Sequence, residues 1–352
     1  MSKVFTITGS AKKESADKNQ CPEISKNLCK SGLTESQDAA FGNLISINHN
    51  AKVYRKFIKS GGDSRKSVLI RLEPYSVYPL QYRKNLESKY GLILSPGNIN
   101  YGLRSFEFIG WPYKFHLNPS KPVSSESNIL DLLPEILSSD IFTESNWLKR
   151  QDKMVMIASN KVSPTSKSNY GLRRKIASTL PTDKLDLYGD MWRISNLKKV
   201  IYRVKVGWYA TRSGFFPNLL ELYGDFFKSF PTYKGQVENK HSMLQKYRFS
   251  LVVENDTNYI SEKLIDSILN GTIPIYVGPK MSSVYLPENI YISSDGSFEH
   301  LNSITESITV ETATKMLESI ANFLNSDSFV NNWISENVYE KISKKIIDFW
   351  DQ

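Results

Sequence analysis

Cysteine is nearly absent from this chain: of 352 residues only Cys21 and Cys29 carry a thiol. Seven residues separate them, which suits neither a disulfide framework nor a Cys-x-x-Cys metal or redox site, so both are read as structural. Histidine is almost as scarce. The four, His49, His116, His241 and His300, stand far apart and without metal-ligand spacing, which argues against a zinc centre. No run approaches the roughly eighteen uninterrupted apolar residues of a membrane span. Met1 to Ser15 lacks the apolar middle of a signal peptide, and a cytoplasmic protein is the expectation. Also missing are a Gly-x-Gly-x-x-Gly turn, a Gly-Lys-Ser/Thr phosphate loop and a Gly-x-Ser-x-Gly elbow, which weakens dehydrogenase, P-loop and hydrolase readings. No Asp-x-Asp pair occurs, so phosphate binding would fall to cationic side chains and backbone amides.

What is present is the composition of a soluble globular protein, 40% hydrophobic and 23% charged, which excludes disordered, collagenous and coiled-coil classes. Forty-five Lys and Arg stand against 36 Asp and Glu, a net charge of +9. The excess is scattered, as in Arg55, Lys56, Lys59, Arg65 and Lys66, and again in Lys198, Lys199, Arg203 and Lys205. It lacks the aromatic interleaving of a nucleic-acid module, so no nucleic-acid partner is expected. A solvated basic face, an anionic membrane surface and a phosphate-bearing substrate all remain compatible with it.

At roughly 100 to 200 residues per domain, this length implies two domains. Ser10 to Ala40 is polar with little apolar periodicity and is expected to be irregular. The run from Ser67 ending at Pro74, and Gly91 to Ser95, have the length and branched content of strands. Leu117 to Asn128 is rich in Pro, Ser and Asn, a helical stretch follows from Ile129 to Ile136, and the boundary is placed at Arg150. This gives an acceptor-binding domain over 1–150 and a donor-binding domain with a terminal helix over 151–352. Beyond the boundary, Met154–Ser159, Leu185–Gly189, Phe249–Glu254 and Ile273–Gly278 are compact apolar strand candidates with helical segments between them. Strand and helix in alternation imply a doubly wound parallel α/β sheet, with ligands at the strands' carboxyl ends. Ile194 to Gly214, basic and aromatic, reads as an inserted helix. Phe329 to Trp350 has helical apolar spacing suited to packing on the body or, alternatively, to a membrane surface.

The most informative stretch is Tyr247 to Pro279: a buried strand, a short polar loop, a helix and a second buried strand. Ile260, Leu264, Ile265, Ile268 and Leu269 form one apolar helix face, Gly271 suits its end, and Glu262 and Lys263 fall off that face in the first turn. A lysine there opposes the helix dipole. Either the two are a solvated pair, or an anion sits beside Lys263, within reach of Glu254 and Asn255 at the end of the preceding strand.

This segment resembles the donor-binding signature of the α-1,3-fucosyltransferases, glycosyltransferase family 10: Tyr-Lys-Phe-x-Leu-x-Phe-Glu-Asn, then Tyr-x-Thr-Glu-Lys, then Gly-Thr-x-Pro-x-x-x-Gly. Here Arg248 replaces the Lys, Val253 the second Phe and Ser261 the Thr, and the loop from Asn255 to Tyr259 is shorter. The resemblance extends to Lys153–Asn160, the helix around Arg173, Leu185–Gly189 and the stretch before Glu73. It implies a GT-B fold, two Rossmann-like domains facing across a cleft, and inverting transfer of L-fucose from GDP-β-L-fucose to a hydroxyl of an acceptor glycan, forming an α-1,3 linkage. It places Glu73 as the general base, Arg173 and Lys263 at the diphosphate, and Asn255, Tyr259 and Glu262 at the nucleotide or the sugar.

The same resemblance implies no tightly bound cofactor and no metal ion for the catalytic step. The partners expected are the GDP-sugar and an oligosaccharide or glycolipid acceptor, such as a lipopolysaccharide chain, with peripheral contact at the inner face of a membrane. Two alternatives stand beside it: another GDP-sugar or acceptor on the same fold, and an inactive basic binding module.

Overall fold

A computed structural model describes residues 4–8, 22–36, 42–95, 107–108, 129–165, 167–212, 216, 218–223 and 226–352. The chain divides into two compact units, one of Met1–Pro112 with Asn331–Gln352 and one of Tyr113–Val330. Each is built on a six-stranded sheet in which every pairing is parallel.

In the first unit the strands are β1 (Val4–Thr8), β2 (Thr34–Glu35), β3 (Asn43–Ile47), β4 (Val68–Ile70), β5 (Leu92–Ser95) and β6 (Glu107–Phe108), in spatial order β2-β1-β3-β4-β5-β6. The runs expected from Ser67 and Gly91 are β4 and β5. Ser10 to Ala40 was expected to be irregular, but it contains the helix Pro22–Lys30 and strand β2. Local sequence there is polar, and the helix is held by tertiary packing: Ile24 and Leu28, four apart, enter a core with Phe5, Ile45, Val68 and Ile70. Cys29, on the same helix, is an exposed free thiol, whereas Cys21 lies outside the described residues.

The terminal helix, Ser335–Asp351, also belongs to this unit rather than to the donor-binding half where its sequence position put it. Val338, Ile342, Ile346 and Trp350 are buried in the same core, and Trp350 Nε1 donates to the Lys66 carbonyl at 2.9 Å. The apolar face is therefore consumed within the protein.

In the second unit the strands are β7 (Gln151–Ile157), β8 (Leu185–Tyr188), β9 (Tyr233–Gly235), β10 (Tyr247–Val253), β11 (Ile273–Val277) and β12 (Ile292–Ser293). All four strands expected here are present, and the spatial order is β12-β11-β10-β7-β8-β9. The chain builds outward from β7 to β9, then returns to the centre and builds outward the other way from β10. This is the doubly wound pattern, with its switch point between β7 and β10. Phe249, Leu251 and Val253 point to one face, where they pack with Met154, Met156, Ile273, Ile275 and Val277.

The unit starts before β7 rather than at Arg150. The helices Ile129–Ser138 and Glu144–Lys149 are tied to it through the Arg150 guanidinium, whose Nη1 donates to the carbonyls of Asn270 and Gly271 at 2.9 and 2.8 Å and whose Nη2 donates to that of Ile141 at 3.0 Å. One buried arginine thus satisfies the open carbonyls after one helix and fastens the preceding segment to them. The inserted helix is present as Asn196–Arg212.

Candidate active site

The carboxyl end of β10 is where the second unit concentrates polar groups. Val253, Glu254 and Asn255 follow one another out of the strand, and alternation turns the Glu254 side chain away from the core face that Val253 fills. Its backbone N–H remains in the sheet, donating to Val277 O at 2.9 Å. Glu254 is fully buried, and neither carboxylate oxygen makes a hydrogen bond of normal geometry among the described residues. Burial pushes its carboxyl above the usual range, opposed by the charge of Lys263 and by nearby Ser261.

Arg173 reaches this strand end from the helix Tyr170–Thr179. Its Nε donates to Val253 O at 2.9 Å; its Nη2 donates to the same carbonyl and to Asn255 Oδ1, the latter at 2.9 Å. Only 3% of the residue is exposed, and burial lowers its affinity for the proton against the charges of Glu254 and Glu262 that favour it. The guanidinium is thus committed to fixing Asn255, and its positive charge lies behind the loop. That loop is tied down from the other side. Asn169 N donates to Asn255 O at 3.2 Å, Thr257 N to Lys167 O at 3.1 Å, and Asp256 bridges both Ser168 and Tyr259.

Glu262 and Lys263 open the helix Glu262–Ile268, with Ser261 at its N-cap. Lys263 Nζ lies 3.1 Å from both Ser261 Oγ and Glu262 Oε1. Desolvation acts to raise the Glu262 carboxyl, yet Lys263, the helix-start amide and Lys240 together hold it well below the usual range. The Glu262 side chain is half exposed, so this pair carries little stability and leaves a carboxylate facing solvent beside an ammonium.

Two further residues, not singled out from the sequence as site residues, complete the region. Gly278 packs so closely that an added Cβ would overlap the Tyr276 hydroxyl and crowd Glu254 Cγ, which explains glycine at the end of the Pro-x-x-x-Gly run. Asn160 lies three residues beyond β7, on the other side of the switch point. It is buried, and among the described residues its Oδ1 has no hydrogen-bond partner. Its signal in the sequence is only its place after a strand, which any loop asparagine shares.

Glu73 belongs to the first unit, three residues past β4. Asn48, buried and in the left-handed region at φ 49°, accepts from the Leu72 and Glu73 amides at 2.9 and 3.2 Å. The Glu73 carbonyl accepts from Gln81 Nε2 at 2.8 Å and Tyr82 Oη at 2.7 Å. Its backbone is clamped from both sides while its side chain remains half-buried. The expected site residues therefore fall into two groups: Arg173, Asn255, Tyr259, Glu262 and Lys263 around the end of β10, and Glu73 after β4.

Residues 190–319 match the family described as glycosyltransferase family 10 (fucosyltransferase), C-terminal part, in agreement with the resemblance read from Tyr247 to Pro279. Arg173 and Glu73 lie outside that segment. A putative fucosyltransferase-like protein of Arabidopsis thaliana is 33% identical over 89 residues, 25% of this chain and 15% of the relative, so the chain matches only a small part of that protein's length. Two solved structures share the fold. One is a glycosyltransferase from Rickettsia africae ESF-5, with TM-score 0.50, 10% identity, and 99% of this chain and 98% of the other covered. The other is Anabaena Alr3699/HepE in complex with UDP and glucose, with TM-score 0.50, 9% identity, and 99% and 100% covered. The architecture of two parallel α/β units is that of GT-B glycosyltransferases.

Proposed function

We propose, because residues 190–319 match the C-terminal part of glycosyltransferase family 10, that the chain is an inverting transferase that moves L-fucose from GDP-β-L-fucose to a hydroxyl of an acceptor glycan, forming an α-1,3 linkage. The observation that carries this reading is the cluster at the end of β10, where Asn255, held by Arg173, adjoins the buried Glu254 and the Glu262–Lys263 pair beside the switch point.

The chemistry suits these residue types. Displacing GDP develops positive charge on the sugar ring and negative charge on the diphosphate, and fixed cations at the diphosphate lower that barrier. Lys263 supplies an ammonium whose present partners are a hydroxyl and a half-exposed carboxylate, both of which phosphate oxygens can replace. Arg173, buried, adds charge from behind and acts as the positioning residue for Asn255. Asn255, Tyr259 and Glu262 are assigned to the nucleotide and sugar hydroxyls. With charge supplied this way, the step is proposed to need no bound metal ion. Glu73 is the proposed base: its carboxylate takes the proton of the acceptor hydroxyl as that oxygen attacks the anomeric carbon opposite the departing GDP.

Calorimetric titration with GDP-fucose, GDP-mannose and UDP-glucose tests the donor assignment. Selective binding of GDP-fucose is expected. Equal binding of GDP-mannose would remove the sugar assignment, and preference for UDP-glucose would remove the nucleotide assignment as well.

A further inference from the structure

The helix Asn196–Arg212 presents an unusual outer face. Leu197, Ile201, Val204 and Trp208 recur at intervals of four, three and four, so they form one stripe along the helix. Their relative exposures are 69, 45, 52 and 61%. The opposite side is the one used for packing. Arg203 and Ala210 are buried there, Arg203 Nη1 donates to the Leu222 carbonyl, and Gly207 faces Leu222. The orientation of the stripe is thus fixed by contacts on its back.

Charge distinguishes this face from an ordinary exposed apolar patch. The helix contains five basic residues and no acidic one. Lys198 and Lys205, seven apart, lie along one edge of the stripe, and neither pairs with a carboxylate among the described residues. An apolar stripe ending in a tryptophan, edged by lysines and lacking negative charge, matches the chemistry of a bilayer interface with anionic headgroups.

We propose that this face docks the protein peripherally on an anionic lipid surface, with Leu197, Ile201, Val204 and Trp208 entering the headgroup boundary and Lys198 and Lys205 meeting lipid phosphates. Among the described residues no helix is long and apolar enough to cross a membrane, and the contact proposed is one of lying on the surface. The proposal does not rest on the transferase reading, because vesicle binding involves no sugar chemistry.

The test is co-sedimentation of the full chain with vesicles of phosphatidylcholine alone and of phosphatidylcholine with 30% phosphatidylglycerol, at low and high salt. Binding to the anionic vesicles that weakens with salt is expected. Lys198→Glu with Lys205→Glu should reduce it by about tenfold or more, on the order of a few-fold per basic residue removed. Leu197→Glu with Val204→Glu should abolish it with the thermal melt unchanged, since both positions are exposed. Absence of binding at low salt would overturn the proposal, as would binding that either double variant leaves intact. A wild-type dimer that ignores vesicles and becomes monomeric in Leu197→Glu/Val204→Glu would also overturn it, assigning the face to a second copy of the chain.

Discussion

At the scale of single residues, the two proposed chemical roles separate cleanly. The Glu73 backbone is clamped by Asn48, Gln81 and Tyr82, and glutamine matches glutamate in size while giving up its charge. Glu73→Gln should therefore leave the fold and donor affinity intact while lowering turnover by roughly 10²- to 10⁴-fold, the usual worth of a general base. Steady-state kinetics beside a GDP titration check this, and unchanged turnover would exclude the base assignment. Lys263→Ala should act the other way, costing roughly 1.5 to 3 kcal/mol of GDP affinity through loss of a charged hydrogen bond. An unaltered affinity in that titration would place the diphosphate elsewhere. The place of Glu262 and Lys263 in the first turn of a helix was legible in the sequence, and the lysine stood out there because it conflicts with the helix dipole. Burial has no such local signature. Nothing in the sequence around Arg173 indicates that its guanidinium turns inward to the Val253 carbonyl, or that Asn160 is covered.

At the scale of elements, the central strands were readable because both of their faces are buried, which makes them short uninterrupted apolar runs. The polar helix Pro22–Lys30 was not, since long-range packing of Ile24 and Leu28 holds it. The extent of the second unit was hidden for a similar reason: its ties to the helices before β7 join residues far apart in sequence, Arg248 to the carbonyls of Trp147 and Leu148 some 100 positions earlier and Arg150, in a buried joint, to carbonyls some 120 positions later. Gly271 is the other half of that joint. It lies at φ +60°, and an added Cβ would land on the Ile141 carbonyl oxygen. Gly271→Ala should accordingly destabilise the protein by roughly 1 to 3 kcal/mol, from left-handed strain and displacement of the joint. Urea denaturation measures the loss. A change below a few tenths of a kcal/mol would mean that the segment before β7 yields freely.

At the scale of the whole molecule, pH and chain length act on the first unit. His49 is buried, with Nδ1 2.7 Å from Tyr90 Oη, and burial followed by the charge of Lys89 lowers it to about 4. A histidine whose folded affinity for the proton is depressed stabilises the fold fully above its ordinary value of 6.5, and that contribution is lost as pH falls from 6.5 toward 4. The loss across that window is on the order of 3 kcal/mol, and His49→Gln should flatten it in denaturation curves recorded between pH 7 and pH 4. A wild-type curve with no such slope would show that the imidazole protonates freely in the fold.

Chain length matters because the terminal helix returns to the unit in which the chain began. Deleting residues 331–352 withdraws Val338, Ile342, Ile346 and Trp350 from the core shared with Phe5, Ile24 and Ile70. At roughly 1.5 to 3 kcal/mol for each buried side chain, the deletion removes about 6 to 12 kcal/mol. That is comparable to the whole stability of a typical domain, about 5 to 15 kcal/mol. The first unit should then unfold, whereas the core around Met154, Phe249 and Ile275 draws nothing from that helix. Two measurements on the truncated chain check this together. Hydrogen exchange should show protection lost from β1, β3 and β4 and retained in β7, β10 and β11, and GDP should still bind while transfer, for which Glu73 is the proposed base, disappears. Retained protection in β1 would mean that the strands close a sufficient core without the helix, and loss of GDP binding would mean that the donor residues depend on the first unit for their own fold.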